Sequence, residues 1–396
     1  MRDSCLLRTF LGVLAAASVT QICFSAMSAP AAETLCAAPV IIGDGWEVST
    51  PDASGFDAVT LCATLASVAA GNANIHGVVV ERHGRLVAEL YRKGPDLSID
   101  FLYGLWHPFA ADTEFGPTTL HDLRSISKSV VGLLIGIARR QDKIGSLATP
   151  VLDFYPEYAS LRSPQRDEVH LEHLLTMSSG LMWDEGALPN DETRLYWDWT
   201  PYRYVLSRPL VAAPGTVFNY NSGGTAVLAD ILIRTSGKPL KELARTELFE
   251  PLGITDWEWV SDPHGRDLAF TGLRMRPRDL VKIGRMALDH GQWRGQQIVP
   301  AEWIADSLRP HISTGFRSPP TATDEMSYGY QWWTGTADWH GKKLAWSAGF
   351  GNGGQRLFVV PELDLTVAIT AGDYGSREIG HMANQLLEQV VLSVQH

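Results

Sequence analysis

The chain has 396 residues, a formal net charge of −11, and 33 basic against 44 acidic residues. The charges are mixed, with no basic run or stripe, which excludes the electrostatic footprint of a nucleic-acid binder. With 45% hydrophobic residues and no low-complexity tract or internal repeat, a sizeable core and no long linker are expected.

At the N-terminus, Arg2 and Arg8 precede an apolar run from Phe10 to Val19 and small residues from Ser25 to Ala32. This three-part order predicts a secretory leader over residues 1–31, with cleavage after Ala29, Ala31 or Ala32. Its apolar core is too short for a permanent anchor. Neither Cys23 nor Cys36 follows a Leu-small-small triplet, so no lipid anchor is expected. No later segment is apolar enough to span a bilayer, and the mature protein is expected to be periplasmic or secreted, with no stable membrane span. Leader removal leaves Cys36 and Cys62. In an oxidising compartment these read as one disulfide, closing a loop of about 25 residues for about 3 kcal/mol, or else as two buried thiols.

Residues 32–74 read as an N-terminal extension and 75–396 as one domain. Gly77-Val-Val-Val-Glu-Arg-His83, Gly84 and Arg85-Leu-Val-Ala-Glu-Leu-Tyr91 read as a β-hairpin. Helical patterning follows at 126–140, 170–177, 223–236, 239–248, 277–289 and 300–307. A second hairpin is expected from Gln355–Val360 and Leu365–Thr370, then a helix from about Arg377 to Leu392. Strands at both ends with helices between predict an α+β fold. Its antiparallel sheet is built from the two chain ends and flanked by helices, with a mostly helical subdomain inserted and a cleft between sheet and helices.

The segment Ser125-Ile-Ser-Lys128 opens the apolar run Val130–Ala138. Residues three apart share a helix face, so a hydroxyl and an amine stand side by side at the helix start. A lysine of pKa about 10.4 is a poor base at neutral pH. Bringing it to about 7–8 disfavours the ammonium by roughly 4 kcal/mol, which burial beside an apolar helix supplies. Ser125 and Lys128 thus form the minimal equipment of an activated serine nucleophile. By itself the motif is weak, since about half a Ser-x-x-Lys match is expected by chance among so few lysines.

Two further segments add to it. Pro214-Gly-Thr-Val-Phe-Asn-Tyr220 sets a tyrosine in a turn before a helix, where it is aimed into a cleft or packed in the core. Its phenol would relay a proton if Lys128 favoured the phenolate. Trp346-Ser-Ala-Gly-Phe-Gly-Asn-Gly-Gly354 offers close-approach backbone with free N–H groups, the equipment of an oxyanion hole, or else a bulge. His170 and His173, one helical turn apart without a carboxylate motif, read as structural, and no metal site is expected. Trp183-Asp-Glu185 and Tyr196-Trp-Asp-Trp199 read equally as cleft wall or core plug. Asp122 and Arg124 read as capping and orienting the helix.

Together these segments resemble the serine β-lactamase-like superfamily, especially its class C β-lactamase, family VIII esterase and 6-aminohexanoate-dimer hydrolase branches. The resemblance covers about residues 75–392. It also rests on Leu123-Arg-Ser-Ile-Ser-Lys-Ser-Val130, His173-Leu-Leu-Thr-Met-Ser-Ser-Gly-Leu181, Phe249-Glu-Pro-Leu-Gly-Ile254 and Gly353-Gly-Gln-Arg-Leu-Phe-Val-Val-Pro361, in family order. The resemblance implies a β-lactamase/transpeptidase-like fold, with Ser125 as nucleophile, Lys128 as base and Tyr220 as proton shuttle. It further implies Ser222 as a counterpart of a serine in the oligomer-hydrolase branch. The oxyanion hole would combine the Ser125 N–H with one from Gly349 or Phe350.

The Lys-Thr-Gly or His variant that many β-lactamases and transpeptidases carry on that strand is absent. Ser347-Ala-Gly349 or Trp346-Ser-Ala348 stands there without a cation, and no Ser-Asp-Asn triplet occurs. Arg274, Arg276, Arg317 and Arg356 are the candidate substitutes. Losing a charge-assisted contact costs about 1.5–3 kcal/mol, which ranks β-lactams below esters and small amides. The expected activity is therefore cofactor-free ester or small-amide hydrolysis. A β-lactamase or D,D-peptidase, and a non-catalytic binding module of the same fold, are the alternatives.

Overall fold

The computed structural model describes residues 37–99, 110–187, 190–317 and 324–395. The leader expected over 1–31 and Cys36 lie outside the described residues. Cys62 is buried and disulfide-bonded, and since it is the one cysteine among the described residues, its partner lies outside them.

The strands that position the site are β1 (Glu47–Val48), β2 (Ile75–Arg82), β3 (Arg85–Tyr91), β4 (Lys93–Asp96), β5 (Ala111–Glu114), β6 (His121–Asp122), β7 (Trp257–Trp259), β8 (Leu273–Met275), β9 (Ile312–Arg317), β10 (Glu325–Tyr328), β11 (Trp333–Trp339), β12 (Lys342–Gly351), β13 (Gln355–Val360) and β14 (Leu365–Ala371). The main helices are α1 (Ala58–Ala70), α2 (Ile126–Arg140), α3 (Ser222–Ser236), α4 (Pro277–Leu288) and α5 (Arg377–Leu392). One nine-stranded sheet runs in the order β1-β3-β2-β14-β13-β12-β11-β10-β9. It joins the two chain ends where β14 pairs with β2 antiparallel, Val367 opposite Val80. The fold is α+β, as the sequence pattern predicts.

The sheet is covered on both faces. Val78, Val80, Phe358 and Ile369 point into a core shared with α1 and α5, while Val79, Leu357, Val359 and Ala368 point into the larger core of the helical region. This two-sided burial explains why β2, β13 and β14 read as continuous apolar runs instead of alternating ones. The tip of the first hairpin places His83 and Gly84 at φ 55° and 76°, the two positive values of a type I′ turn.

The segment before the hairpin is built into the same body. Glu47 and Val48 pair in parallel with Arg85 and Leu86, and Asp57 caps α1 by accepting from the Thr60 N–H. Four sheet strands, β9 to β12, arise from residues 312–351, where the sequence pattern gave only a glycine-rich strand approach. Their faces mix Trp, Thr, Ser and Gly, so the period-2 signal is blurred.

Helix α2 is the spine of the helical region, with Ile126 to Ala138 all buried. A Cβ on Gly136 would lie 2.2 Å from the Trp303 ring, so only glycine lets that indole lie against the helix. The Trp303 Nε1–H then donates to the Gly132 carbonyl at 3.0 Å.

Candidate active site

Ser125 stands at the N-cap of α2, following Arg124 in the left-handed region at φ 50°. No side chain caps this helix end, which corrects the capping role expected for Asp122 and Arg124. Asp122 is instead buried and ion-paired, 2.7 Å from Arg274 and 3.4 Å from Arg124. The Arg124 guanidinium lies over the Tyr374 ring at 4.0 Å.

One turn on, Lys128 is 1% exposed. Its Nζ lies 2.9 Å from Ser125 Oγ and donates to the Phe270 carbonyl at 2.8 Å. Burial pushes the amine below the ordinary lysine range, against the opposing pull of Glu192 and Glu185. A neutral amine keeps its hydrogen bond to Phe270 and has a lone pair to offer the serine proton.

Tyr220 is held where the turn enters α3. Asn219 N–H donates to the Met177 carbonyl at 2.7 Å, and Asn221 Oδ1 accepts from the Gly224 N–H at 2.9 Å. The phenol is hydrogen-bonded to Ser125 and raised above its ordinary range, chiefly by burial and next by the charge of Glu185. Lys128 Nζ sits 5.0 Å from the Tyr220 ring centroid. The tyrosine therefore stays protonated, and the condition set for a phenolate relay, that Lys128 favour the phenolate, is not met. Ser125, Lys128 and Tyr220 meet as a hydroxyl between an amine pushed toward neutrality and a phenol that keeps its proton.

A cleft of about 700 Å³ opens over Ser125. Tyr220, Trp333 and Phe350 form a stacked wall, with centroids 5.8 Å and 5.5 Å apart in turn. Phe350 and Gly351 line the cleft with Ser125, whereas Gly349 faces α2: a Cβ there would meet Ile126 Cγ2 at 3.1 Å and Ser129 Oγ at 3.2 Å. Ser222 is fully buried, its N–H donating to Glu185 at 2.8 Å and its hydroxyl to Glu192 at 2.7 Å. Its place is to brace two carboxylates.

Those carboxylates are the part of the site the sequence reading least anticipated. Glu185 and Glu192 both line the cleft. Glu185 accepts from the Trp183 indole at 2.8 Å, and Tyr196 donates to Glu192 at 2.9 Å. Burial raises the Glu185 carboxyl, the charge of Glu192 raises it further, and Lys128 opposes both. Of the two aromatic segments, Tyr196 walls the cleft and Trp183 plugs the core, while Trp199 is exposed. Nothing local in the sequence distinguishes Glu192 from a surface acid.

Among the candidate cations, Arg317 and Arg356 line the cleft. Arg356 is committed to Asn384 Oδ1 at 2.8 Å and to the Gln355 and Gly380 carbonyls. Arg274 and Arg276 are ion-paired to Asp122 and Asp279. Ser347 donates to the Leu308 carbonyl at 2.8 Å. His170 and His173 stack at 5.2 Å and share a capping box, as a structural pair should.

A family model described as Beta-lactamase matches residues 66–391. The chain belongs to the Beta-lactamase family. Within this family it is 28% identical over 307 residues to the 6-aminohexanoate-dimer hydrolase of Paenarthrobacter ureafaciens, covering 73% of this chain and 70% of the relative. It is 29% identical to Esterase EstB of Burkholderia gladioli over 232 residues, 53% of this chain and 55% of the relative. Two solved structures share the fold. A penicillin-binding protein homologue from Caulobacter crescentus matches with a TM-score of 0.62 at 16% identity, covering 85% of this chain and 97% of that one. A family VIII carboxylesterase matches with a TM-score of 0.59 at 16% identity, covering 83% and 96%. Like these hydrolase relatives, the Beta-lactamase family chain described here is an enzyme, a serine hydrolase. Among the described residues no helix is long and apolar enough to cross a membrane.

Proposed function

We propose that this chain is an exported serine hydrolase that cleaves ester or small amide bonds through an acyl-enzyme on Ser125. The observation that carries the reading is the 2.9 Å contact between Ser125 Oγ and the fully buried Lys128 amine. Lys128 takes the hydroxyl proton as Oγ attacks the carbonyl carbon. The oxyanion rests on the backbone N–H of Ser125 and one from the Phe350 segment of β12. Tyr220, which keeps its proton, donates to the leaving alkoxide or amine and is re-protonated by way of Lys128. Water then attacks the acyl carbon, losing its proton to the same pair, and the acid product departs with Ser125 restored.

The named activities of the two curated relatives support an ester or amide substrate. The carboxylates Glu185 and Glu192 favour an ammonium on the part of the substrate that lies beside them, while Arg124, Arg317 and Arg377 line the same cleft. Export rests on the leader pattern alone. It is tested by N-terminal sequencing of the periplasmic or secreted protein.

The experiment is a panel of p-nitrophenyl esters, ω-amino and ω-carboxyl amides and nitrocefin on wild type, Ser125→Ala and Tyr220→Phe, with fluorophosphonate labelling read by intact mass. Labelling of wild type but not Ser125→Ala, with esters or amides turned over faster than nitrocefin, is the expected result. Fast nitrocefin turnover with negligible esterase and amidase activity would give the reading to a β-lactamase or D,D-peptidase. A folded protein that takes no probe would make it a binding module.

The pH profile provides a second test. Only neutral Lys128 accepts a proton, so kcat/KM rises with pH to a plateau, with an inflection below the ordinary lysine value of about 10.4. Glu185 and Glu192 favour the ammonium. Glu185→Gln is therefore expected to move that inflection to lower pH, and a move to higher pH contradicts the assignment of Lys128 as base.

A further inference from the structure

His76 on β2 and His121 on β6 are both buried, and His76 Nδ1 lies 2.8 Å from His121 Nε2. The partners of the other two ring nitrogens determine what fits between them. His76 Nε2 faces Asn74 Oδ1 at 2.9 Å and the Pro95 carbonyl at 3.1 Å. The Asn74 amide nitrogen donates to that same carbonyl at 2.7 Å, which sets the orientation of the amide, so both atoms facing Nε2 are acceptors. Nε2 therefore carries the hydrogen and Nδ1 a lone pair. His121 Nδ1 faces the Asp122 carbonyl at 3.0 Å, so its Nε2 is likewise left with a lone pair.

Two lone pairs converging at this distance repel unless a positive charge lies at their meeting point. A carboxylate oxygen of Asp96 completes the group: one ligand atom from each of His76, Asp96 and His121 lies within 4.8 Å of the others. Asp96 is itself oriented by the Tyr374 hydroxyl, which donates to Oδ1 at 2.7 Å.

We propose that His76, Asp96 and His121 bind a first-row transition-metal dication. The back N–H of each histidine is held by a carbonyl oxygen and the carboxylate by a hydroxyl, the outer arrangement that orients metal ligands. With metal–nitrogen bonds of about 2.0–2.1 Å, the observed nitrogen separation gives an N–metal–N angle of about 85–90°. That suits octahedral or square-based ions such as Ni²⁺ or Co²⁺, with water filling the open positions on the half-exposed Asp96 side. Tetrahedral Zn²⁺ needs the nitrogens about 0.5 Å further apart. The walls are close: Phe115 stacks on His76 at 4.1 Å, and a Cβ on Gly372 would lie 2.4 Å from the His76 ring. The ion would tie together β2 of the central sheet, the end of β4, and β6, which leads directly to Ser125. Its role is a clamp behind the nucleophile, and no step of hydrolysis passes through it.

The test uses untagged, EDTA-treated enzyme titrated with Ni²⁺ or Co²⁺ and followed by calorimetry, by Co²⁺ visible absorption and by melting temperature. One ion per chain with a Kd of about 10 μM or tighter, and a higher melting temperature with metal, are expected. His121→Gln and Asp96→Asn should each weaken binding at least about tenfold. Asp96 is half-exposed, so its variant keeps the test valid if the buried histidine variant does not fold. Wild type that takes no ion, or folded variants that bind as wild type does, overturns the proposal. An imidazole ¹⁵N spectrum at pH 7 that shows one proton shared between His76 and His121, unchanged by Ni²⁺ or Co²⁺, overturns it as well.

Discussion

Lys128→Met is expected to lower kcat/KM by about a thousandfold or more while leaving the fold intact. The amine is the group within reach of the Ser125 proton, and positioned proton transfer contributes about 10²–10⁴-fold. Stability responds differently. The amine is fully buried and pushed toward neutrality, so it costs desolvation that methionine, similar in length and apolar, does not. Against this, the Phe270 carbonyl loses its 2.8 Å donor, at about 1–3 kcal/mol. The two effects oppose, and the melting temperature should stay within a few degrees of wild type. The variant should also fail to react with fluorophosphonate at neutral pH, although Ser125 is retained. A variant that keeps most of its activity removes Lys128 from the chemistry. One that unfolds makes the lysine a structural residue.

Gly351→Ala is the second large effect, and it acts through the backbone. A Cβ at Gly351 would lie 2.3 Å from the Leu123 carbonyl oxygen. That oxygen accepts the Ile126 N–H at 3.1 Å, closing the turn that holds Ser125. A methyl group there must push β12 and the nucleophile turn apart. It should cost about 1–3 kcal/mol of stability. Because a misplacement near 1 Å costs about a hundredfold, kcat/KM should fall by about 10–100-fold. Gly349→Ala is the comparison: its Cβ would meet side-chain atoms of Ile126 and Ser129, at 3.1–3.4 Å. Both contacts are longer than the 2.3 Å approach to backbone at Gly351, so a smaller loss is expected on both measures. Equal losses in the two variants would remove the argument for close approach at Gly351.

The reading of the cleft as an ester and amide site rests on its charges as much as on its nucleophile. β12 carries no cation at Ser347, and Arg356 spends its hydrogen bonds on protein oxygens. On the opposite side Glu185 and Glu192 bring negative charge near Lys128. Beside these two carboxylates an ammonium is favoured over a carboxylate, while Arg124, Arg317 and Arg377 line the same cleft, so the amide panel compares amides carrying an ω-amino with those carrying an ω-carboxyl group.

The sequence by itself determined the two hairpins, the nucleophile helix over 126–140 and the closing helix over 377–392, because each carries a strong local period or turn. It also marked Ser125 and Lys128, since a spacing of three on a helix is a local geometric fact. The tertiary structure decided the rest. Strands β9 to β12 take their place from pairing in succession outward from β13, not from an apolar alternation of their own. Tyr220 meets Ser125 only because Met177 and the α3 cap aim it there, and its protonation follows from burial that no local pattern encodes. Glu192 becomes a cleft residue, and Ser222 its brace, through contacts 30 residues apart in the chain. His76 and His121, 45 residues apart, become a pair of facing lone pairs only when β2 and β6 are brought together. Periodicity and spacing report what a segment does alone; electrostatics and hydrogen-bond direction depend on which segments meet, and only the folded chain decides that.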